Sequence, residues 1–204
     1  MSDPFPVPDD LDAIYSDIWT RWGRGAADRR SPFHTPVVGS VSGADAPQQR
    51  VMVLRKADRA NGILRFHTDQ RSAKASQVSL NAAVSIIGYD AGAKIQLRAS
   101  GNAAIIHTGL LANEAWAATS ASGRRSYLTT FAPGSISSIA TSGLPVAFEK
   151  SVPVGADSEA GRVNFAIVPV TLDRLEWLHL AATGHRRARF IRTIDGWSGE
   201  WLIP

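Results

Sequence analysis

A run of short alternating strands dense in cations leaves few folds open, and residues 50–101 form such a run. The segment reads RVMVLRK, a turn, ILRFHTDQRSAKASQV, then AVSIIGY, a second turn and KIQLRASG. Between Arg50 and Lys74, seven Arg and Lys stand against two Asp, so this stretch alone carries +5 where the whole chain carries +4. Strands are mostly apolar, and cations concentrated on them point to an anion site built on a sheet. Period-2 alternation puts Val51, Val53 and Arg55 on one face of the first of these strands. Arg50, Met52 and Leu54 fall on the other.

The pattern continues on both sides. Residues 33–42 alternate weakly as an earlier strand, and strands are expected at 50–55, 63–68, 83–89 and 94–104, with a helix at 72–80. Two apolar runs, 164–169 and 171–178, read as one strand interrupted or ended near Pro169, and 187–194 with 200–203 as a terminal hairpin. Leu11, Ile14, Tyr15, Ile18, Trp19 and Trp22 share one helical face, with Asp9 or Asp10 as cap and Gly23 and Gly25 as stop. Residues 1–9 form a proline-rich, acidic leader, expected to be loose. A second helix at 110–118 opens a helical and loop insertion over about 110–145. The expected fold is mainly β with peripheral helices, an antiparallel, Greek-key-like barrel or sheet. One domain spans 1–204, with its N-terminal helix over about 9–23.

Composition narrows the chemistry. Without cysteine there is no disulfide, thiolate nucleophile or thiolate metal ligand, a composition that fits a cytoplasmic protein. No signal peptide and no apolar run long enough to span a membrane is found, so no membrane is expected as partner. The five His lack metal-binding spacing, so no metal is expected, and Walker A, GxSxG and GxGxxG motifs are missing. An enzyme of this kind borrows its reactivity from an organic cofactor. Nucleic acid calls for a longer basic face with interleaved aromatics and is not expected. A small polyanion needs only a few convergent cations and backbone donors.

Several residues suit such a ligand. Lys74 falls in the first turn of the helix at 72–80, where backbone N–H groups are free, and Thr68 and Ser72 add hydroxyls. Gln96, in a strand between Ile95 and Leu97, offers a donor and an acceptor to a heterocycle edge, though its plainer reading is a solvent-facing amide. For His67 the plainer reading is simple packing. His185, Arg186, Arg187, Arg189 and Arg192 make a second cationic block, and outside the two blocks the chain carries a net −5. A shared polyanionic ligand explains two such blocks better than solubility does; a basic hairpin for RNA is the alternative.

These residues resemble the pyridoxamine 5'-phosphate oxidase family, the FMN-binding split barrels. The family's R-x-x-x-L-[KR] strand corresponds to Arg50–Arg55, its F-[YH]-T to Phe66-His67-Thr68, its S-x-K to Ser72-Ala73-Lys74 and its Q-V-x-x-x-G strand to Gln96–Gly101. Glu176-Trp177 is similar to the E-F-W segment. His185-Arg186 with Arg189-Phe190 is similar to the H-R…R-F segment that serves substrate and FMN. The resemblance makes Arg50 an FMN phosphate or ribityl contact, with Val51, Met52, Val53 and Leu54 lying along the isoalloxazine. His67 and Thr68 flank the flavin, Ser72 and Lys74 hold the phosphate, Arg189 adds a cofactor contact, and Gln96 meets the flavin across a dimer. Arg55 takes the position of the substrate-phosphate cation, joined by Arg124, Arg125, His185 and Arg186, with Arg55 and Arg186 as the catalytic pair. Ala73 stands where the oxidases carry an arginine, and Arg71 is the candidate replacement. HRRARF is one residue shorter than the oxidase pattern H-R-L-H-D-R-F and lacks its second His.

The implied protein is a homodimeric FMN oxidoreductase with FMN at the subunit interface. Hydride passes from a small phosphorylated or heterocyclic substrate to flavin N5, with reoxidation by O2. An FMN-dependent reductase of another substrate and a non-catalytic flavin or haem module on the same barrel are the alternatives.

Overall fold

The computed structural model describes residues 8–204; most of the leader expected to be loose lies outside the described residues. Nine strands form one sheet: β1 (Val37–Val41), β2 (Pro47–Val51), β3 (Leu54–Asp58), β4 (Ile63–Asp69), β5 (Ala83–Asp90), β6 (Ile95–Ala103), β7 (Phe165–His179), β8 (Arg186–Thr193) and β9 (Gly196–Leu202). The main path runs β2-β1-β5-β6-β7-β4-β3, and β8 and β9 extend from β7. All pairings are antiparallel. The two ends of that path, β2 and β3, are parts of one stretch of chain separated only by Met52 and Val53. Its first half pairs with β1 and its second half with β4, so the sheet curls into a barrel. The Met52 and Leu54 amides continue the ladder onto Pro36 O and His34 O, at 3.0 and 2.8 Å. The mainly antiparallel β architecture expected from the sequence is the one observed.

Alternation decides the faces. Met52 and Leu54 are 8 and 0 % exposed and join the barrel core, whereas Val51 is 63 % exposed and Arg55 is exposed. Leu64, Phe66, Leu97, Val168, Val170 and Leu175 fill the same core. On the outer face, Phe165 and Ile167 of β7 make a second small core with Trp116 and Tyr127. Trp116 comes from α3 (Leu110–Ala117), whose helical reading agrees with the structure.

β7 is the hub. Its first half pairs with β4, its second half with β8, and β6 lies along its other edge. Contrary to the expected interruption, it runs unbroken through Pro169. The Pro169 carbonyl accepts from Ala104 N at 3.0 Å, and the missing N–H lies on the same side, so only one rung is lost. β6 approaches β7 closely at Gly101, next to a register shift: a Cβ there would lie 2.1 Å from Thr171 O.

The first helix, α1 (Leu11–Ala27), is longer than its glycines suggested. The Asp10 carboxylate caps it by accepting from Ala13 N, and Ile14, Ile18, Trp19 and Trp22 bury its apolar face. Gly25 does not stop the helix. It lets residues 33–34 pass close by, since a Cβ on Gly25 would lie 2.5 Å from Phe33 O. His34 Nδ1 lies 2.7 Å from Gly25 O and fastens the crossing.

Candidate functional site

The cations of the densest block separate into engaged and open groups. Arg50 projects from β2 on the core side and donates to Ser40 Oγ at 2.6 Å and to Gln77 Oε1 at 2.8 Å. Gln77 belongs to α2 (Ala73–Leu80), three residues after Lys74 and so on the same helical face. Lys74 donates to Thr68 Oγ1 at 3.3 Å, and the Thr68 and Ser72 hydroxyls lie 3.2 Å apart, both buried. Ser72 caps α2 by backbone position alone, its hydroxyl donating back to Asp69 O at 2.7 Å. The first-turn N–H groups of α2 are therefore not capped by a side chain.

Arg50 and Lys74 line one narrow cleft with Met52, Val78 and Val168. Its volume, about 10 Å³, holds at most one water. Burial lowers the pKa of both cations from their ordinary values; for Lys74 the neighbouring Arg50 adds to the effect and Asp69 acts against it. Neither cation has a carboxylate within ion-pair distance among the described residues. Two desolvated cations facing one cleft without an anion are electrostatically incomplete.

Arg71 is engaged. Its Nε and Nη2 meet the two Asp69 oxygens at 3.0 and 2.7 Å, and Nη2 also donates to Thr129 O and Oγ1 at 3.1 and 3.0 Å. In this arrangement it ties the loop at Thr129 to the turn before α2, and the open charge at that turn is that of Lys74.

His67 stands on the outer face of β4, its ring 4.8 Å from Phe165, edge to face. Both ring nitrogens are buried without a hydrogen-bond partner among the described residues. Burial first, then Arg55 and Arg65, push its pKa down to about 3 from 6.5. The folded value lies below the unfolded one, so the unfolded chain binds the extra proton as pH falls below 6.5. This contribution to stability is level above pH 6.5 and declines between 6.5 and about 3, by at most about 1.4 kcal/mol per pH unit. His67→Phe is expected to flatten that decline, read from urea midpoints at pH 7 and pH 5; an unchanged acid limb would show that His67 is not its source.

The remaining predicted residues lie elsewhere. Arg55 is exposed at a bulge between β3 and β4. Arg124 donates to Trp116 O at 3.2 and 3.0 Å, pairs with Glu159 and sits 4.8 Å over the Trp116 ring. Those contacts hold α3 to the loop that follows it. Arg125 donates to Glu149 O. On the other side of the barrel, Gln96 lines a recess of about 80 Å³ with Arg98, Glu176, Leu178 and Arg187. His185 and Arg186 are exposed at the start of β8, and Arg189 pairs with Glu200 at 2.7 Å. Trp177, in the segment likened to E-F-W, is fully buried and donates to Asp17 Oδ2 at 3.1 Å, so Leu178 holds the outward position.

The structure therefore brings Arg50, Thr68, Ser72 and Lys74 together around the core-side cleft and α2, sets Arg55 and His67 within electrostatic reach of each other on the outer face, and carries Gln96, His185, Arg186 and Arg189 to the far half of β7. His67 pairs with Ile167 on β7, whereas Gln96 pairs with Leu178. At about 3.3 Å per residue those positions are on the order of 36 Å apart along the strand. Sequence reasoning missed the buried carboxylate of Glu176, which accepts from Arg187 at 2.6 Å and Arg98 at 3.5 Å. The resemblance of Glu176-Trp177 to E-F-W points to the segment, but not to the pairing of that acid with two arginines. Ser40 and Gln77, the partners of Arg50, were also missed; the helical spacing of Gln77 from Lys74 carried that signal.

Comparison with known proteins bears on this arrangement. Residues 19–107 match the family model described as pyridoxamine 5'-phosphate oxidase, FMN-binding domain. A search of curated proteins gave no match. Among solved structures, a pyridoxamine 5'-phosphate oxidase-related, FMN binding protein from Nostoc punctiforme PCC 73102 superposes with a TM-score of 0.70 at 23 % identity, covering 98 % of this chain and 100 % of its own. PhzG from Burkholderia lata 383, solved in complex with tetrahydrophenazine-1-carboxylic acid, superposes with a TM-score of 0.72 at 17 % identity, covering 100 % of both chains. At such identities the superpositions speak for the fold. The segment that holds Arg50, His67, Lys74 and Gln96 is thus similar, over residues 19–107, to the pyridoxamine 5'-phosphate oxidase FMN-binding domain, in a chain whose fold is that of these solved structures.

Proposed function

We propose that the protein is an FMN-dependent oxidoreductase that works as a homodimer on a small anionic heterocycle. One observation carries the reading: Arg50 and Lys74 face a common cleft, partly desolvated, with no carboxylate among the described residues to neutralise them. The uncapped first turn of α2 beside them supplies backbone donors, and the three together fit the terminal phosphate of FMN. The cleft is too small for a phosphate, so the anion is expected at its mouth. The exposed Val51 and the half-buried Val53 give the outer face of that strand the apolar surface a flat ring needs.

The two separated groups of residues support the dimer. His67 and Gln96 of one chain stand opposite β7 residues eleven positions apart, and a two-fold related copy would bring Gln96, Arg186 and Arg189 to the Arg50–Lys74 region of its partner. When bound, FMN would supply two-electron, hydride-accepting chemistry. The chain's own residues bind and orient. Arg55 holds the substrate's anionic group, Arg186 of the partner steadies its ring, and the covering protomer keeps water from the reacting face. Pyridoxamine 5'-phosphate and carboxylated ring systems such as the ligand of PhzG both fit this description.

The protein is expected to purify yellow or to take up FMN, and to run as a dimer. Anaerobic pyridoxamine 5'-phosphate is then expected to bleach the flavin. Bleaching would establish the oxidase; a flavin left oxidised would sink that activity, and failure to bind FMN would sink the proposal altogether.

A further inference from the structure

We propose that Arg65 is the second cation of an anion subsite on the outer face of the β3–β4 hairpin, where it and Arg55 together hold a compact dianionic oxyanion, a phosphate monoester, carried by the substrate. This rests on the proposed function, which already gives Arg55 the substrate's anionic group, and adds to it Arg65 and the dianionic charge of that group.

The register builds the subsite. Leu54 faces Phe66 and Lys56 faces Arg65, with Arg55 displaced between them at a bulge. Two residues of β3 thus meet one of β4, and a bulge of this kind re-aims the extra side chain. All three side chains at that rung are cationic. Like charges facing each other across a sheet are destabilising unless something compensates. Lys56 has Asp58 at 3.8 Å. Arg55 and Arg65 have no carboxylate and no hydrogen-bond acceptor among the described residues. The nearby acid Asp69 is held by Arg71.

Arg65 is not an ordinary solvated surface cation. Its Nε is buried and unpartnered, and two residues along the same face both nitrogens of His67 are buried and unpartnered as well. Arg55 and Arg65 both depress the imidazole's basicity, which places the three groups within electrostatic reach of one another. The pair contributes two positive charges beside a neutral imidazole that can donate one hydrogen bond and accept another. Two guanidinium forks match a group with two charges and three oxygens, whereas one fork suffices for a single carboxylate.

The test uses FMN-loaded protein, so that the Arg50–Lys74 region is filled, and follows the flavin spectrum while pyridoxine 5'-phosphate or pyridoxine is added. Arg65→Gln is expected to weaken the phosphate ester about tenfold or more and leave pyridoxine unchanged. Arg65→Lys, which keeps the charge but loses the fork, is expected to fall between the two. Equal weakening of both ligands, or of neither, would overturn the inference. A second arm needs no flavin: in Lys74→Met protein, inorganic phosphate is expected to raise the unfolding midpoint, and Arg65→Gln to abolish that rise. A rise with malonate but none with phosphate would overturn the phosphate assignment. If the protein takes no FMN, the proposed function fails while this arm still decides the role of Arg65.

Discussion

Replacing Gly101 by alanine is expected to lower the unfolding midpoint by roughly 6–12 °C. A Cβ at Gly101 would lie 2.1 Å from Thr171 O and 2.7 Å from Leu172 Cα, both backbone atoms. No side-chain rotation relieves such an overlap, so β6 and β7 have to move apart at the place where their register shifts. β7 cannot yield easily, because β4 holds Thr171 on the other side and β8 begins its pairing at Arg174. Strain of this kind is worth about 3 kcal/mol, and a chain of this size loses about 2–4 °C per kcal/mol. Thermal melts of Gly101→Ala beside Gly23→Ala check it. A Cβ at Gly23 meets nothing within 4 Å, so that helical control is expected to hold or gain stability. Equal midpoints for the two variants would mean that the β6–β7 approach is looser than it stands. The glycine that ends the family's strand motif thus has a structural cause, the passage of two strands at backbone distance.

Lys74→Met is expected to weaken FMN binding by about ten- to a hundredfold, the loss of one charge-assisted bond of about 1.5–3 kcal/mol to a phosphate. Methionine keeps most of the length of the apolar stem and removes the charged nitrogen that reaches Thr68. Burial already destabilises the Lys74 ammonium, with Arg50 beside it, so the variant is expected to fold at least as stably as the parent without ligand. Loss of affinity together with retained stability separates a ligand-binding cation from a structural one. Arg71→Met gives the contrast: its guanidinium joins Asp69 to Thr129, so its removal is expected to loosen the loop after Thr129. Fluorescence titration with FMN and urea melts of the flavin-free proteins make both measurements. Unchanged FMN affinity in Lys74→Met would show that the phosphate does not sit at α2.

Much of the barrel was readable because its information is local. Strand alternation in RVMVL sends Met52 and Leu54 inward and Val51 outward through nothing but pleat geometry. The helical face of Ile14, Ile18, Trp19 and Trp22 follows from a 3.6-residue repeat. The cationic character of residues 50–74 is a property of the letters. Local rules failed where a distant neighbour intervened. Gly25 reads as a helix stop, yet the chain near Phe33, crossing the helix, makes use of its missing side chain. Pro169 reads as a strand end, yet β4 on one side and the end of β6 on the other hold β7 through it at the loss of one rung.

Charge shows the same division. By itself the sequence determined the barrel's alternating faces, its turns and the presence of two cationic blocks. Only the tertiary structure decided which cations are neutralised at home: Arg71 by Asp69 with Thr129, Arg124 by Glu159, Arg187 by Glu176 and Arg189 by Glu200. It also decided which are left open, as at Arg50, Lys74, Arg55 and Arg65, and that Gln96 lies far along β7 from His67. The physical reason is range. Alternation and capping act over a few residues, whereas Arg124, Arg187 and Arg189 are compensated by acids 11 to 35 positions away, and Arg71, beside its own Asp69, is completed by Thr129 58 positions on, all of which only the fold brings within a few ångströms.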